Sequence, residues 1–364
     1  MTDIEPEIKA QPIIGHQTQI DQLLDAFNSG KMPHAWMLTG PSGIGKAQLA
    51  QQLAASIIAH NDGQEALFGG PAPMSLQIQA DNPDYRQVMQ GAHPDFLYIA
   101  PIDSDKNKSG TIKIEQIRAL IPFFSHKSAT GGWRVAIIDR LDDVNVNGAN
   151  AMLKILEEPP EKAILFLICS QKGQVLPTIR SRCRQLSFSP LSVDMQSEIL
   201  SRHFPDADKV SLGNLAAISG GSIGFAMQIA ETDAYDLYEA SCRLLADSRA
   251  SAKDMMAISS KWGAARGPQK QMIAIAKRAF SNLLAGAALR KSLSNCAHQQ
   301  GEHTLLAFEE SLISLLATNA SADDLAAFYK AYLAEIERAE ARYLDFNSVF
   351  LMLFHKIHSL AHQK

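Results

Sequence analysis

The residues best able to do chemistry lie in the run Gly-Pro-Ser-Gly-Ile-Gly-Lys-Ala at 40–47. The phosphate-loop pattern is G-x-x-x-x-G-K-[ST]. Gly40, Gly45 and Lys46 meet it, Gly43 adds a third glycine, and Ala47 breaks it at the last position. Glycines let backbone N–H groups close around phosphate oxygens, and a following helix aims its positive end at them. Lys46 is the cation for the β and γ phosphates, and the hydroxyl missing at Ala47 is the one that would hold Mg²⁺. The loop is therefore better suited to binding a nucleotide than to hydrolysing one.

Three further positions bear on that chemistry. Asp139 ends the apolar run 135–138, where a strand-end carboxylate orients Mg²⁺ through water. The next residue is Arg140, a cation that cannot take a proton from an attacking water. Asp142 and Asp143 follow, at an offset expected to carry them past the strand end into a turn. Losing both the metal hydroxyl and the base argues against efficient ATP hydrolysis, because those groups are together worth several orders of magnitude in rate. Arg180 and Arg182, in Arg-Ser-Arg-Cys at 180–183, are expected near the same ligand edge. The plainest reading of such a pair is a solvated face. The other is an arginine projected out of the subunit onto a neighbour's γ-phosphate, which is worth ~10³–10⁵ in rate.

The surrounding elements have to position these groups. His34 to Thr39 reads as a buried strand running into the loop, and 48 to about 60 as a helix with Leu49, Leu53 and Ile57 on one face. Strand, glycine loop and helix is the context the motif needs. Residues 61–92, rich in Gly, Pro, Asp and Asn, read as an irregular insertion. Further strands are expected at 96–100, 133–139 and 163–170, with helices at about 114–121 and 147–158, the latter stopped by Pro159-Pro160; 103–110 reads as a polar turn. Such alternation predicts a parallel sheet covered on both faces, with ligands at the carboxyl ends of its strands. That places 40–46, Asp139 and Ser170 along one edge. From Leu191 the pattern turns wholly helical: 195–203, 210–219, 223–230, 270–289, 322–344 and 346–360. No catalytic pattern appears there, and its apolar stripes serve either a core or an assembly interface.

At 364 residues the chain should form two or three domains. A net charge of −4 excludes a chain that grips nucleic acid as a polyelectrolyte. Cys169, Cys183, Cys242 and Cys296 form no CxxC pair, which suggests neither zinc nor a disulfide framework and fits a reduced, cytoplasmic setting. The acidic start MTDIEPEIKA is unlike a signal peptide. No apolar run is expected to approach the roughly 20 residues that span a bilayer, so no membrane partner is expected.

The order and spacing of these segments resemble the bacterial clamp-loader family. The segments are the phosphate loop, Gly131-Gly-Trp-Arg-Val-Ala-Ile-Ile-Asp139, the 147–160 run ending Leu-Glu-Glu-Pro-Pro, and Ser181-Arg182-Cys183. Within that family the chain is similar to its delta-prime branch, part of DNA polymerase III, strongly over 13–190 and only in pattern beyond 250. The resemblance implies an AAA+ fold: an α/β nucleotide-binding domain at 1–188, a small helical lid at 189–245 and an all-helical collar at 246–364. It implies a hetero-oligomer with delta and gamma/tau subunits that opens a sliding clamp and places it on primed DNA. It also implies that Arg182 is a finger acting on ATP held by the adjacent subunit, and that Ser170 is the first sensor, where Thr is common. Gly224 stands where motor subunits carry a sensor arginine. Relatives often hold zinc on four cysteines after the phosphate-loop helix, and 61–92 has none, so no metal is expected. No cofactor is required by this reading; ATP or ADP is expected to bind weakly or not at all. The competing expectations are an active AAA+ ATPase, either a gamma/tau-type motor or a branch-migration helicase, and a free-standing nucleotide-binding regulator.

Overall fold

The computed structural model describes residues 13–60, 74–76, 81–101, 112–129, 131–263, 270–293, 305–342 and 344–363. The chain divides into two compact units, Met1–Pro190 and Leu191–Lys364.

The first unit is built on five strands: β1 (Ala35–Thr39), β2 (Phe96–Ile99), β3 (Arg134–Ile138), β4 (Ala163–Cys169) and β5 (Arg184–Ser187). They lie in the order β2-β3-β4-β1-β5, and every pairing is parallel. β1, β3 and β4 are buried along their whole length, as continuous apolar runs in a doubly covered parallel sheet must be. The pleat sends alternate residues to opposite faces. Trp36, Leu38, Val135, Ile137, Ile164 and Phe166 join one core with α1 (Gln17–Asn28), α2 (Lys46–Ala59) and α3 (Pro83–Met89). Met37, Ala136, Ile138, Leu165 and Leu167 join the other with α4 (Ile114–Arg118), α5 (Leu120–Ser125), α6 (Val146–Glu157) and α7 (Pro177–Arg180). Each fully buried Leu, Ile or Phe contributes roughly 1.5–3 kcal/mol, so the paired cores fix the sheet and with it the strand ends.

Three elements depart from the sequence reading. β5 was not expected: it is an edge strand on which only Leu186 is buried, so no apolar run announces it. α3 lies inside the stretch read as irregular. Asn82 caps it, its side chain accepting from Tyr85 N at 3.0 Å, Pro83 opens it, and Tyr85 and Val88 bury against α2. The single helix expected near 114–121 is two, broken at Ala119. The polar turn at 103–110 lies outside the described residues.

The second unit is nine helices among the described residues: α8 (Val193–His203), α9 (Lys209–Ser219), α10 (Ile223–Ala230), α11 (Ala234–Ala246), α12 (Ala252–Gly263), α13 (Lys270–Leu293), α14 (Ala307–Asn319), α15 (Ala322–Arg342) and α16 (Phe346–His362). Their starts follow from side-chain caps: Ser192, Asp208, Ser222 and Asp345 each accept from backbone N–H groups of the first turn. One hydrophobic core runs from Leu191 to Ala361, so the expected lid and collar segments share it. Two of its buried polar side chains are paired across helices. Tyr238 donates to Glu309 at 2.8 Å, and the Trp262 indole donates to Ser241 at 3.0 Å. Contrary to the sequence reading, α13 is long and apolar enough to cross a membrane, reaching a mean hydropathy of 1.3 within Gln271–Ser292. It is a core helix here: Ile275, Ala276, Phe280, Leu283 and Leu284 are buried among its neighbours.

Candidate functional site

The site is assembled at the carboxyl ends of β1, β3 and β4. The chain leaves β1 at Gly40, whose N–H donates to Cys169 O at 3.3 Å and so ties the loop to the end of β4. Gly40, Gly43 and Gly45 all have positive φ, at 149°, 79° and 97°. At Gly40 a side chain is also excluded by space: a Cβ would fall 2.4 Å from Phe188 O. At Gly45 a Cβ would meet nothing within 4 Å. The loop is braced from outside by His16, the left-handed residue before α1, whose Nε2–H donates to Ile44 O at 2.9 Å. Its ring stands edge-on to Phe188, with centroids 5.0 Å apart.

Lys46 opens α2 and is almost fully buried, at 4% exposure. Its ammonium donates to Gly40 O at 2.6 Å and Pro41 O at 2.5 Å. Burial lowers its pKa, and the nearby Asp139 and Asp142 carboxylates oppose that shift. Ala47 packs its methyl against the core shared by α1 and α2.

Asp139 follows β3, and its Oδ2 accepts from the Tyr98 hydroxyl at 2.9 Å. Burial and the Asp139 charge together push the Tyr98 phenol above its ordinary pKa. Arg140 sits in the left-handed region at φ 64° and pairs with Asp143 across a single 3₁₀ turn, Leu141–Asp143. That same turn carries Asp142 past the end of β3, as its offset predicts. It folds Asp142 back so that its two oxygens accept from Ser170 N at 3.3 Å and Gln171 N at 3.2 Å. Asp142 thus fixes the end of β4 and Ser170. Sequence reasoning gave it no such part, and its only signal was a carboxylate three residues beyond a strand-end aspartate.

These residues fit a phosphate group and not a magnesium ion. The glycine loop and the helix start are arranged as an anion cradle, and the lysine is inside it. A bound nucleotide would bring its own phosphate charge, which Lys46 would meet by leaving the loop carbonyls. The metal side lacks its hydroxyl at Ala47, and Asp139 is already engaged by Tyr98. Gly224 is the second residue of α10, in the second unit. The segment considered for zinc lies largely outside the described residues.

Arg182 is elsewhere. Strand β5 pairs Trp36 with Arg184 and Thr39 with Ser187, so it starts at the amino end of β1. Arg180 and Arg182 precede that start. They lie at the edge of the sheet opposite the phosphate loop, not beside it as the sequence suggested. The reason is β5 itself: a parallel strand requires the chain to return to the amino end before it begins. Arg182 is partly exposed, and its guanidinium reaches Glu157 at 2.8 Å and Thr178 O at 2.9 Å.

A model of the family described as DNA polymerase III, delta subunit, matches residues 15–192. The chain is also 34% identical over 189 residues to the DNA polymerase III subunit delta-prime of Pseudomonas aeruginosa. Over residues 15–192 the chain resembles this family. The Pseudomonas match covers 52% of this chain and 53% of that protein. The delta-prime subunit of Bacillus subtilis is 31% identical over 169 residues, 46% of each chain. The tau subunit of Escherichia coli is 27% identical over 224 residues, 60% of this chain and 32% of that one. The chain thus spans about half the length of the delta-prime relatives it matches.

Proposed function

We propose that this chain acts as a delta-prime-type subunit of a DNA polymerase III clamp loader, helping to place a sliding clamp on primed DNA in the cytoplasm. In this reading it is a structural, non-hydrolysing member of a hetero-oligomer with delta and gamma/tau subunits. It meets clamp and DNA through the complex and supplies Arg182 to ATP on a neighbour. The observation that carries the reading is the state of its own loop. The glycine cradle and Lys46 are retained, while Ala47 has a methyl in place of the metal hydroxyl and Arg140, bound to Asp143, stands where a base would be needed. The position of Arg182 supports it further, since that residue lies at the opposite end of the strands from the chain's own loop.

The similarity to tau favours a second reading, an active motor subunit. Ala47, Arg140 and Gly224 weigh against it. Steady-state ATPase of the purified chain separates the two: negligible turnover is expected, and about one per second or more without partners would refute the reading. In the reconstituted complex, Arg182→Ala should cut DNA-dependent ATPase and clamp loading by ~10³-fold while assembly survives. Unchanged rates would remove Arg182 from the mechanism.

A further inference from the structure

Arg182 does not hang free in solution. One Nη donates to Thr178 O at 2.9 Å and lies 3.4 Å from Ser181 Oγ, and the other meets Glu157 Oε1 at 2.8 Å. A guanidinium has five N–H donors in a fixed plane. Two anchors from different elements, α7 and α6, orient that plane and leave donors over for a further anion. We propose that Glu157 is the positioning residue for Arg182, its carboxylate holding the guanidinium in the orientation that meets a nucleotide on a neighbouring subunit. This rests on the reading of Arg182 given above.

Two features set Glu157 apart from an incidental surface partner. It is the last residue of α6, where the helix dipole is negative and a carboxylate is unfavourable unless a cation sits on it. The helix therefore gains nothing from it, while the arginine does. Its backbone is also unusually well held. Pro159 and Pro160 follow after Glu158 and prevent the helix from continuing. The preceding Leu156 O accepts from His34 Nε2–H at 3.1 Å, which ties the end of α6 to the start of β1. Leu156 itself is 2% exposed in the core. The carboxylate thus stands on a fixed base, while its own side chain is 49% exposed and the arginine 37%. An exposed pair of that kind adds little to folding, so removing it tests orientation rather than stability.

The test uses the reconstituted clamp-loader complex, with DNA-dependent ATP turnover measured against ATP concentration. Glu157→Ala is expected to lower kcat about 10-fold, since small misplacements of a charged group cost that much or more. KM for ATP should stay within about twofold, because the nucleotide is held by another subunit. Glu157→Gln, which keeps an acceptor oxygen at the same reach, should recover turnover to within about threefold of the parent. The double variant with Arg182→Ala should match Arg182→Ala alone, because both changes act through one side chain. A Glu157→Ala complex that turns over like the parent while Arg182→Ala collapses would overturn the assignment of Glu157. So would a loss that adds to that of Arg182→Ala. If Arg182→Ala is itself without effect, the finger reading fails first, and the role of Glu157 falls with it.

Discussion

Gly40→Ala should destabilise the first unit far more than Gly45→Ala, although both glycines belong to one loop and both have positive φ. At Gly45 (φ 97°) the added methyl meets nothing within 4 Å, so the cost is backbone strain alone, about 1–2 kcal/mol. At Gly40 (φ 149°) the strain is joined by a clash. The new Cβ lies 2.4 Å from Phe188 O, 3.1 Å from Phe188 Cβ and 3.2 Å from Ile44 Cδ1. The oxygen cannot easily retreat, because Phe188 N donates to Thr39 O at 2.7 Å and continues the β1–β5 pairing. Overpacking of this kind adds about 1–3 kcal/mol, giving about 2–5 kcal/mol in all. Total stability of a domain is about 5–15 kcal/mol, so much of it would go. Urea unfolding is the assay, with hydrogen exchange on peptides of β1 and β4 separating this unit from the helical one. At a slope of about 2 kcal/mol per molar, the Gly40→Ala midpoint should fall by about 1–2.5 M and that of Gly45→Ala by about 0.5–1 M. Equal shifts would refute the argument that Phe188 closes the space over Gly40, and with it the account of how β5 supports the phosphate loop.

Two further outcomes are expected. The His16 imidazole is held below its ordinary 6.5, chiefly by burial. Below about pH 6.5 the unfolded chain therefore takes up a proton that the folded one does not, and stability falls with falling pH in that window. The urea midpoint of the first unit should drop between pH 7.5 and 5.5, and His16→Asn, which tolerates the left-handed backbone, should drop less; identical pH slopes would count against His16. ADP should bind weakly, with a Kd of about 0.1 mM or higher, and isothermal titration should give the same affinity within about twofold in Mg²⁺ or EDTA. A strong Mg²⁺ enhancement would mean that Asp139 is released from Tyr98 to serve a metal after all.

How much of this was legible in the sequence depended on burial. β4 reads Ala-Ile-Leu-Phe-Leu-Ile-Cys and is buried on both faces, so composition alone identifies it. β5 reads Arg-Gln-Leu-Ser and exposes three of its four residues, so nothing marks it as a strand. That one omission misplaced Arg182, because the strand determines the end of the sheet from which the arginine projects. α3 was hidden differently: Asn82-Pro83 is a turn signal and a helix-start signal at once, and only packing of Tyr85 and Val88 decides between them. The glycine loop, Asp139 and Ser170 were legible as a group because each ends an apolar strand. The partners that restrain them were not. Lys46 on its own loop carbonyls, Tyr98 on Asp139 and Asp142 on Ser170 are contacts across the fold that no local spacing encodes.

The division of the sheet has a consequence for reading any Arg182 variant. The loop leaves β1 after Thr39, while Arg182 lies just before β5, which begins beside Trp36. The two are separated by the length of a five-residue strand, ~16 Å at 3.3 Å per residue, and by the loop and turn beyond each end. An arginine side chain does not span that, and the sheet cannot slide without losing a register held by two buried cores. Arg182 therefore has no route to a nucleotide in its own loop. On the proposed reading, Arg182→Ala acts on a nucleotide held by another chain, so it should leave the isolated subunit unchanged. In the proposed role, the changes at Ala47 and Arg140 leave Arg182 in place, because among the described residues its polar contacts are with Thr178, Ser181 and Glu157.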